Sequence, residues 1–340
     1  MTKIYIYGLC DVYYDAFYIK GLKEFYNVRN VFFNCKKFPK FNQGTFAVIV
    51  VQDNKEFKIC IDSRDQSDLW IDALNWCDVY GKVNYNKNSL PEINQDKVLP
   101  IGPSFGIKIW SFPKTLFVAT INYIRFKNQI SRSKLFISNY LAQSKRERLE
   151  NYFEEEVNNN AIKKYVFFAS TLWKNEDQTN TFRANFIKAC LKNSRIEFEG
   201  GFVPRSDGNN LDFDDIMTNS LYSMSSYLKQ IKKSDIVFNT PAVLNCHGWK
   251  LGEFLALGKV ILSTSFYNQM PVKLMDKENI LFLEKSDENE ISIKLDEIIN
   301  SEELQLHLKQ QSKLYFQMYL QPKKVIERLN EMYLSNSKND

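Results

Sequence analysis

The sequence predicts an α/β protein built as a pair of facing Rossmann-like domains, and three observations carry that reading. Short β-branched and aromatic runs alternate with helical patterns along most of the chain. The alternation starts afresh at KYVFFAS (164–170), just after the polar run EEEVNNN. At 340 residues the chain also exceeds a single ordinary core, since cores stop growing at roughly 250–300 residues.

The first half opens with KIYIYG (3–8) as a strand, then an aromatic helical segment at 13–26 and VRNVFFNC (28–35). Two strand-like runs follow, FAVIVVQD (46–53) and FKICIDS (57–63), then a helical DQSDLWIDALNWC (65–77) and DVYGKVNY (78–85). Residues 86–113 contain Pro91, Pro100, Pro103 and Pro113 and read as a long irregular loop, the kind that is usually functional or mobile. Residues 114–160 read as helical and end in the polar run, which marks a domain boundary. The second series runs KYVFFAS, a helix over 177–193, RIEFEGGFV (195–203), a loop and helix, DIVFNTP (235–241), a helix starting near His247, KVILST (259–264) and NILFL (279–283). Short strands separated by helices give mostly parallel sheets. The expected domains are therefore 1–160, 161–320, and a C-terminal helix and tail at 321–340 that frays at SNSKND.

Composition narrows the class. With 44% hydrophobic and 25% charged residues, and only 12 Gly and 9 Pro, the chain is globular and not disordered or fibrous. MTKIYIYGLC lacks the apolar core and cleavage site of a secretory signal. The richest apolar window, TLFVATINYIRF (115–126), is short of a spanning helix and carries Arg125. Six cysteines are scattered with no CxxC pair, a pattern of idle thiols in a reducing compartment, so a cytoplasmic location is expected. From Lys97 to Glu150 ten basic residues face two acidic ones, a local net of +8, interleaved with Trp110, Phe112, Phe117, Tyr123, Phe126 and Phe136. Such a stretch suits a solvated helical face, or a peripheral contact with an anionic inner-membrane surface or lipid-phosphate acceptor. No nucleic-acid partner is expected.

The segment NCHGWKLGEFLALGKVILST (245–264) carries the chemistry. DIVFNTP ends a strand, and after AVLNC the chain turns into a helix near His247 and Gly248. In α/β sheets ligands bind beyond the carboxyl ends of strands, and the free N–H groups of a helix start suit a phosphate. Gly248 lets a ligand approach the backbone, Lys250 adds a point charge, and Glu253 can accept two hydrogen bonds from a ribose diol. Diphosphate plus ribose means a nucleotide. Neither GxGxxG nor GxxxxGK[ST] occurs, which removes the main support for dinucleotide and P-loop readings.

HGWKLGEFLALGKVILST resembles the donor-binding element of GT-B glycosyltransferases, in which a Glu, an Ala- and Gly-containing helix end and a Val/Ile-rich strand recur. On that resemblance Glu253 takes the nucleotide ribose, Leu255-Ala256-Leu257-Gly258 ends the helix, and Lys259-Val260-Ile261-Leu262 is the next strand. The resemblance implies a nucleotide diphosphate sugar as donor, a saccharide or lipid-linked saccharide acceptor in surface-polysaccharide synthesis, and no obligatory cofactor. Many retaining members carry a second Glu eight residues before the ribose one, where this chain has Asn245, so inversion is expected. His247 is placed to touch the diphosphate or the transferred sugar. Lys174 and Arg183, after Ser170 and Thr171 at the first strand of the second domain, are the expected cations for the departing diphosphate.

An inverting transfer needs a general base on the acceptor side. Asp62, at the end of an apolar strand, is the first candidate and Asp11, after the first strand, the second; Asp65 and Ser63 suit helix capping. LDFDDI (211–216) holds a D-x-D pattern, better read as an exposed turn than as a metal site. No zinc-ligand spacing and no GxSxG elbow appears. Two other readings stay open: a nucleotide-sugar epimerase of the same fold, and a catalytically silent nucleotide-binding scaffold.

Overall fold

A computed structural model describes residues 1–89, 94–154 and 162–336. The expected boundary at 160/161, Pro91 and the end of the expected tail lie outside those residues. Two compact units emerge: Met1–Leu149 with Asn268–Val272 and Gln317–Asp340, and Glu150–Tyr267 with Lys273–Phe316.

In the first unit β1 (Lys3–Tyr7), β2 (Phe32–Asn34), β3 (Phe46–Gln52), β4 (Lys55–Asp62), β5 (Val79–Lys82) and β6 (Val98–Pro100) form one sheet in the order β2-β1-β3-β4-β5-β6. The sheet is mostly parallel, as the alternation of elements predicts, with the exception that β3 runs antiparallel to both β1 and β4. The cause is local. Asp53 and Asn54, between β3 and β4, take φ of 51° and 63°, the left-handed pair of a two-residue hairpin turn that Asp and Asn tolerate. Because β1 and β4 both oppose β3, their carboxyl ends share one edge of the sheet.

Around this sheet lie α1 (Val12–Phe25), α2 (Ile71–Trp76), α3 (Phe112–Phe126) and α4 (Ser133–Ser144). Asp11 caps α1 by accepting from the Tyr13 N–H, and the helix buries Val12, Ala16, Phe17, Ile19 and Leu22. A helix was expected over 65–77, but α2 is shorter. Arg64 donates to the Asp68 carbonyl at 3.0 Å and the Trp70 N–H to the Tyr80 hydroxyl at 3.1 Å, which pins residues 63–70 as a loop. The helical run expected over 114–160 breaks at 127–132, where the Gln43 side-chain oxygen accepts from the Ser131 and Arg132 N–H groups and holds the turn that precedes α4.

The second sheet is wholly parallel: β7 (Lys164–Thr171), β8 (Ile196–Val203), β9 (Ile236–Asn239), β10 (Val260–Ser263) and β11 (Leu281–Phe282), ordered β11-β10-β9-β7-β8. Parallel neighbours require crossovers, supplied by α5 (Asp177–Lys192), α6 (Met224–Lys233) and α7 (Trp249–Ala256); α8 (Glu288–Asn300) and α9 (Glu302–Tyr315) follow β11. Val166, Phe168, Phe186, Phe238, Leu262 and Ile291 belong to its core, where the rings of Phe186 and Phe238 stack 4.4 Å apart. Full burial of each such side chain contributes about 1.5–3 kcal/mol. The order of strands is that of a doubly wound α/β domain, and both sheets fit the Rossmann-like expectation.

After a π-helical turn at Phe316–Leu320 the chain ends in α10 (Pro322–Asn336), which packs on α1 within the first unit. A Cβ on Gly21 would stand 2.2 Å from the Pro322 carbonyl oxygen, so a glycine is what lets the two backbones touch. All six cysteines are buried and unbridged. No described helix is long and apolar enough to cross a membrane.

Candidate functional site

The strand order of the second sheet reverses between β7 and β9: β8 continues to one side of β7, and β9 to β11 to the other. Ligands of doubly wound sheets bind at this switch point, beyond the carboxyl ends of the strands. Here the ladder between β7 and β9 is confined to Val166↔Ile236, so the two strands part toward their carboxyl ends. Between them opens a cavity of ≈ 450 Å³ whose wall includes Ser170, Thr171, Trp173, Arg183, Tyr222, Tyr227, Asn239, Thr240, Gly248, Trp249 and Lys250.

Two cations frame that gap. Lys250, in the first turn of α7, donates to the Ala169 carbonyl of β7 at 2.7 Å and lies 4.9 Å over the Phe168 ring. Arg183, on α5, donates from Nε to the Thr240 hydroxyl at 2.9 Å and from Nη1 to the Thr171 carbonyl at 3.4 Å. Its guanidinium rests on the Trp173 ring at 4.9 Å. The turn below is fixed by Asn180, which accepts from the Trp173 N–H and donates to the Trp173 carbonyl.

The electrostatics are those of an anion site. Arg183 is 6% exposed and has no salt-bridge partner among the described residues; burial brings its pKa down to about 10, Glu176 offsetting part of the effect. Lys250 is brought down to about 7, first by burial and then by the positive charge of Arg183, with Glu253 opposing. A guanidinium has five N–H donors and an ammonium three, so after the bonds just given both keep donors for an incoming anion. Gly248, the N-cap of α7, has extended φ and ψ of −74° and 155°. A Cβ there would meet only the Ala242 Cβ, at 3.5 Å. The fold does not require glycine at 248; what its absent side chain provides is clearance over the first-turn amides on the cavity wall.

The residues singled out in the sequence take different places. Arg183, Gly248 and Lys250 come together on one wall. Lys174 is exposed on the turn after β7 and does not line the cavity. His247 is 7% exposed and packs edge-on against Phe266, centroids 5.4 Å apart. Glu253 is 5% exposed and accepts from the Tyr152 hydroxyl at 3.2 Å. Ser170 and Thr171, noted at the strand exit, line this wall, whereas Trp173, Asn239 and Thr240 were not singled out, although the polar residues directly after DIVF were the available signal. A cavity of ≈ 480 Å³ at Gly258, Lys309 and Lys313 lies at the amino end of β10, away from the start of α7.

In the first unit, a cavity of ≈ 270 Å³ lies beyond the carboxyl ends of β1 and β4, lined by Asp11, Asp15, Gln43, Arg64, Asp65 and Trp70 among others. Burial pushes the Asp11 carboxyl up to about 6, against hydrogen bonds from the Tyr13 and Tyr14 N–H groups and from Asn139. Asp15, one helical turn on, is 2% exposed, and its Oδ2 has no hydrogen-bond partner among the described residues; burial and the charges of Asp11 and Asp62 raise it well above the usual range. Asp62 is in a different position. It is fully buried, and its carboxylate takes Arg64 at 2.8 Å, Lys82 at 3.0 Å and the Tyr80 hydroxyl at 2.7 Å. A carboxylate enclosed by two cations and a phenol is an ion-pair partner, which does not suit the role of base expected of Asp62, whereas Asp11 lines the cavity.

No group of three His, Cys, Asp or Glu suited to a metal occurs among the described residues. In LDFDDI, Asp214 accepts from Asn210 at 2.7 Å and Asp215 pairs with Lys188 at 3.4 Å.

No protein-family model and no curated protein matches the chain. Among solved structures it is similar to the C-terminal domain of a group 1 family glycosyl transferase from Francisella tularensis, at 15% identity and a TM-score of 0.35, over 47% of this chain and 86% of that one. It is also similar to sucrose-phosphate synthase from Thermosynechococcus elongatus, at 11% identity and 0.41, over 65% and 63% of the two chains. The third likeness is to TarM, at 11% identity and 0.42, over 86% and 62%. The chain thus spans less than two thirds of the length of the last two. These structural neighbours are GT-B glycosyltransferases, and at this distance no activity passes from them to this chain.

Proposed function

We propose that the chain is a glycosyltransferase that moves a sugar from a nucleoside diphosphate donor to a saccharide acceptor. One observation carries the reading: Arg183, Lys250 and the amide end of α7 converge on the cavity at the switch point of a parallel sheet, with no carboxylate among the described residues in a salt bridge to the buried guanidinium. A diphosphate is the ligand that such a wall suits. Charge that builds on a departing nucleoside diphosphate meets fixed donors there, which is the electrostatic contribution that such a transfer asks of its protein. The aromatic lining from Trp173, Tyr222 and Tyr227 gives a flat base a surface to rest on.

In this reading Glu253 exchanges the Tyr152 hydroxyl for those of the ribose, His247 orients the sugar end of the donor, and Lys174 is a remote charge. Asp11, whose raised pKa lies within reach of neutral pH, is assigned the base that takes the acceptor proton. The residue at 245 is Asn, which supports inversion on the resemblance stated above. A surface polysaccharide as the acceptor's setting belongs to the same reading.

The test is thermal unfolding and calorimetric titration with UDP, GDP and CDP. A ligand at about 100 times its Kd stabilises by about 2.7 kcal/mol, and Arg183→Ala is expected to weaken that binding tenfold or more, since hydrogen bonds to charged groups contribute about 1.5–3 kcal/mol. No response to any of the three, or full affinity in Arg183→Ala, would sink the proposal. Complete turnover of a nucleotide sugar without acceptor would replace transfer by epimerisation.

A further inference from the structure

The outward face of α3 runs against the usual pattern. A surface helix turns its apolar stripe inward and its polar residues to water. In α3 the buried positions are Thr115, Ala119, Asn122 and Phe126, two of them polar, with the Asn122 amide donating to the Tyr140 hydroxyl at 2.9 Å. Phe117 is 66% exposed and Ile124 63%, with Phe112 at 54% and Leu116 at 43%. At 3.6 residues per turn Phe117 and Ile124 lie about two turns apart and diametrically opposite the buried face. Leu135, at the start of α4, adds a further exposed aliphatic side chain at 40%.

Cations surround this strip. From Lys97 through Arg146 the chain contains no Asp or Glu. Lys114 and Arg125 flank the strip on one side of α3 and Lys127 on the other, while Arg132 and Lys134 stand exposed at the start of α4. Lys23 of α1 joins them: burial, and then the positive charges of Lys114 and Lys20, lower its pKa.

We propose that the outer face of α3 is a docking surface that seats in the headgroup layer of an anionic bilayer, with Phe117 and Ile124 reaching toward the acyl boundary and the cations meeting lipid phosphate. Exposed aromatic and aliphatic side chains rimmed by Lys and Arg are what an interfacial helix needs. A second copy of this chain is disfavoured as occupant because it would set one cationic rim against another. The inference stands whether or not the donor reading does.

The experiment floats the full chain with vesicles of phosphatidylcholine alone and with about 30 mol% phosphatidylglycerol added. Binding at least tenfold stronger to the anionic vesicles is expected, fading as salt rises from about 0.1 to about 0.5 M because the Debye length shrinks. The double variant Phe117→Ser/Ile124→Ser is expected to lose at least tenfold of that binding with an unchanged Tm, its two positions being exposed. Lys127→Glu/Arg132→Glu/Lys134→Glu is expected to do the same. No binding, equal binding to both compositions, or undiminished binding by the Ser variant would each overturn the proposal. So would a dimer in sedimentation velocity that the Ser variant converts to monomer, which would assign the face to self-association.

Discussion

If the switch-point cavity takes a diphosphate, binding must change the protonation of Lys250. Its pKa of about 7, against an ordinary 10.5, leaves the side chain about one-tenth protonated at pH 8. An anion placed against it favours the ammonium and returns the pKa toward its ordinary value. Binding at pH 8 therefore takes up about 0.9 proton. Arg183, at about 10, stays ionised, and the second phosphate ionisation, near about 6, is complete. The uptake belongs to Lys250 alone.

The sign of the pH dependence follows. Between pH 7 and 10.5 the unfolded chain holds a proton on Lys250 that the folded, ligand-free chain has shed. Through that window the lysine makes the free protein more stable as pH rises, while affinity for the anion falls by about tenfold per unit. Calorimetric titration of the best-bound nucleoside diphosphate in phosphate and in Tris buffer at pH 8 reads the uptake, because the apparent enthalpies differ by the proton number times the difference in buffer ionisation heat. Lys250→Met should abolish it. An uptake below about 0.3 proton, or one that survives in Lys250→Met, would show that the ammonium does not face the ligand.

Two further predictions concern the frame of the sites. Asp62→Asn leaves the buried Lys82 ammonium without its carboxylate and is expected to cost about 3–5 kcal/mol in urea unfolding; a loss under about 1 kcal/mol would mean that the cluster is not an ion pair. Gly200→Ala puts a Cβ 2.0 Å from the Phe168 carbonyl oxygen at a φ of 122°, and strain of roughly 3 kcal/mol or more should appear as a lowered Tm, whereas an unchanged Tm would refute the placement of β8 against β7.

Much of the second unit could be read from its sequence because its physics is local. β9 and β10 are short, fully buried runs that are mostly apolar and flank α7, and a parallel strand buried on both faces has little other composition available. The first unit resisted for the opposite reason. Nothing in FAVIVVQDNKEFKICID fixes the direction of β3 relative to β1, which depends on partners far apart in sequence, although Asp53-Asn54 between two apolar runs is a hairpin signal. The site divides the same way. Gly248 and Lys250 were legible because a helix start after a strand is a local pattern, whereas the enclosure of Asp62 depends on Lys82, its partner across the β4–β5 ladder. Asp15 escaped notice although it lies one helical turn from Asp11, because a carboxyl on an apolar helix looks like a surface residue until its burial is known.

The arrangement at Arg183 and Lys250 is poor design for stability alone. A buried guanidinium with no salt bridge among the described residues, only partly offset by Glu176, and an ammonium whose pKa is brought down to about 7 both work against folding, and well-packed apolar residues of similar volume would be neutral or better. Splayed strands at β7 and β9 aggravate the cost, because the parted backbones leave carbonyls such as that of Ala169 to be satisfied by Lys250 instead of by a neighbouring strand. Local rules are broken where a chain holds a site open for a ligand. Here three breaches coincide at one cavity: an unneutralised arginine, a lysine kept from its ordinary charge, and a sheet that stops pairing. On the proposed reading a bound diphosphate would relieve the first two by supplying the missing negative charge, and the third would be the opening through which it reaches them.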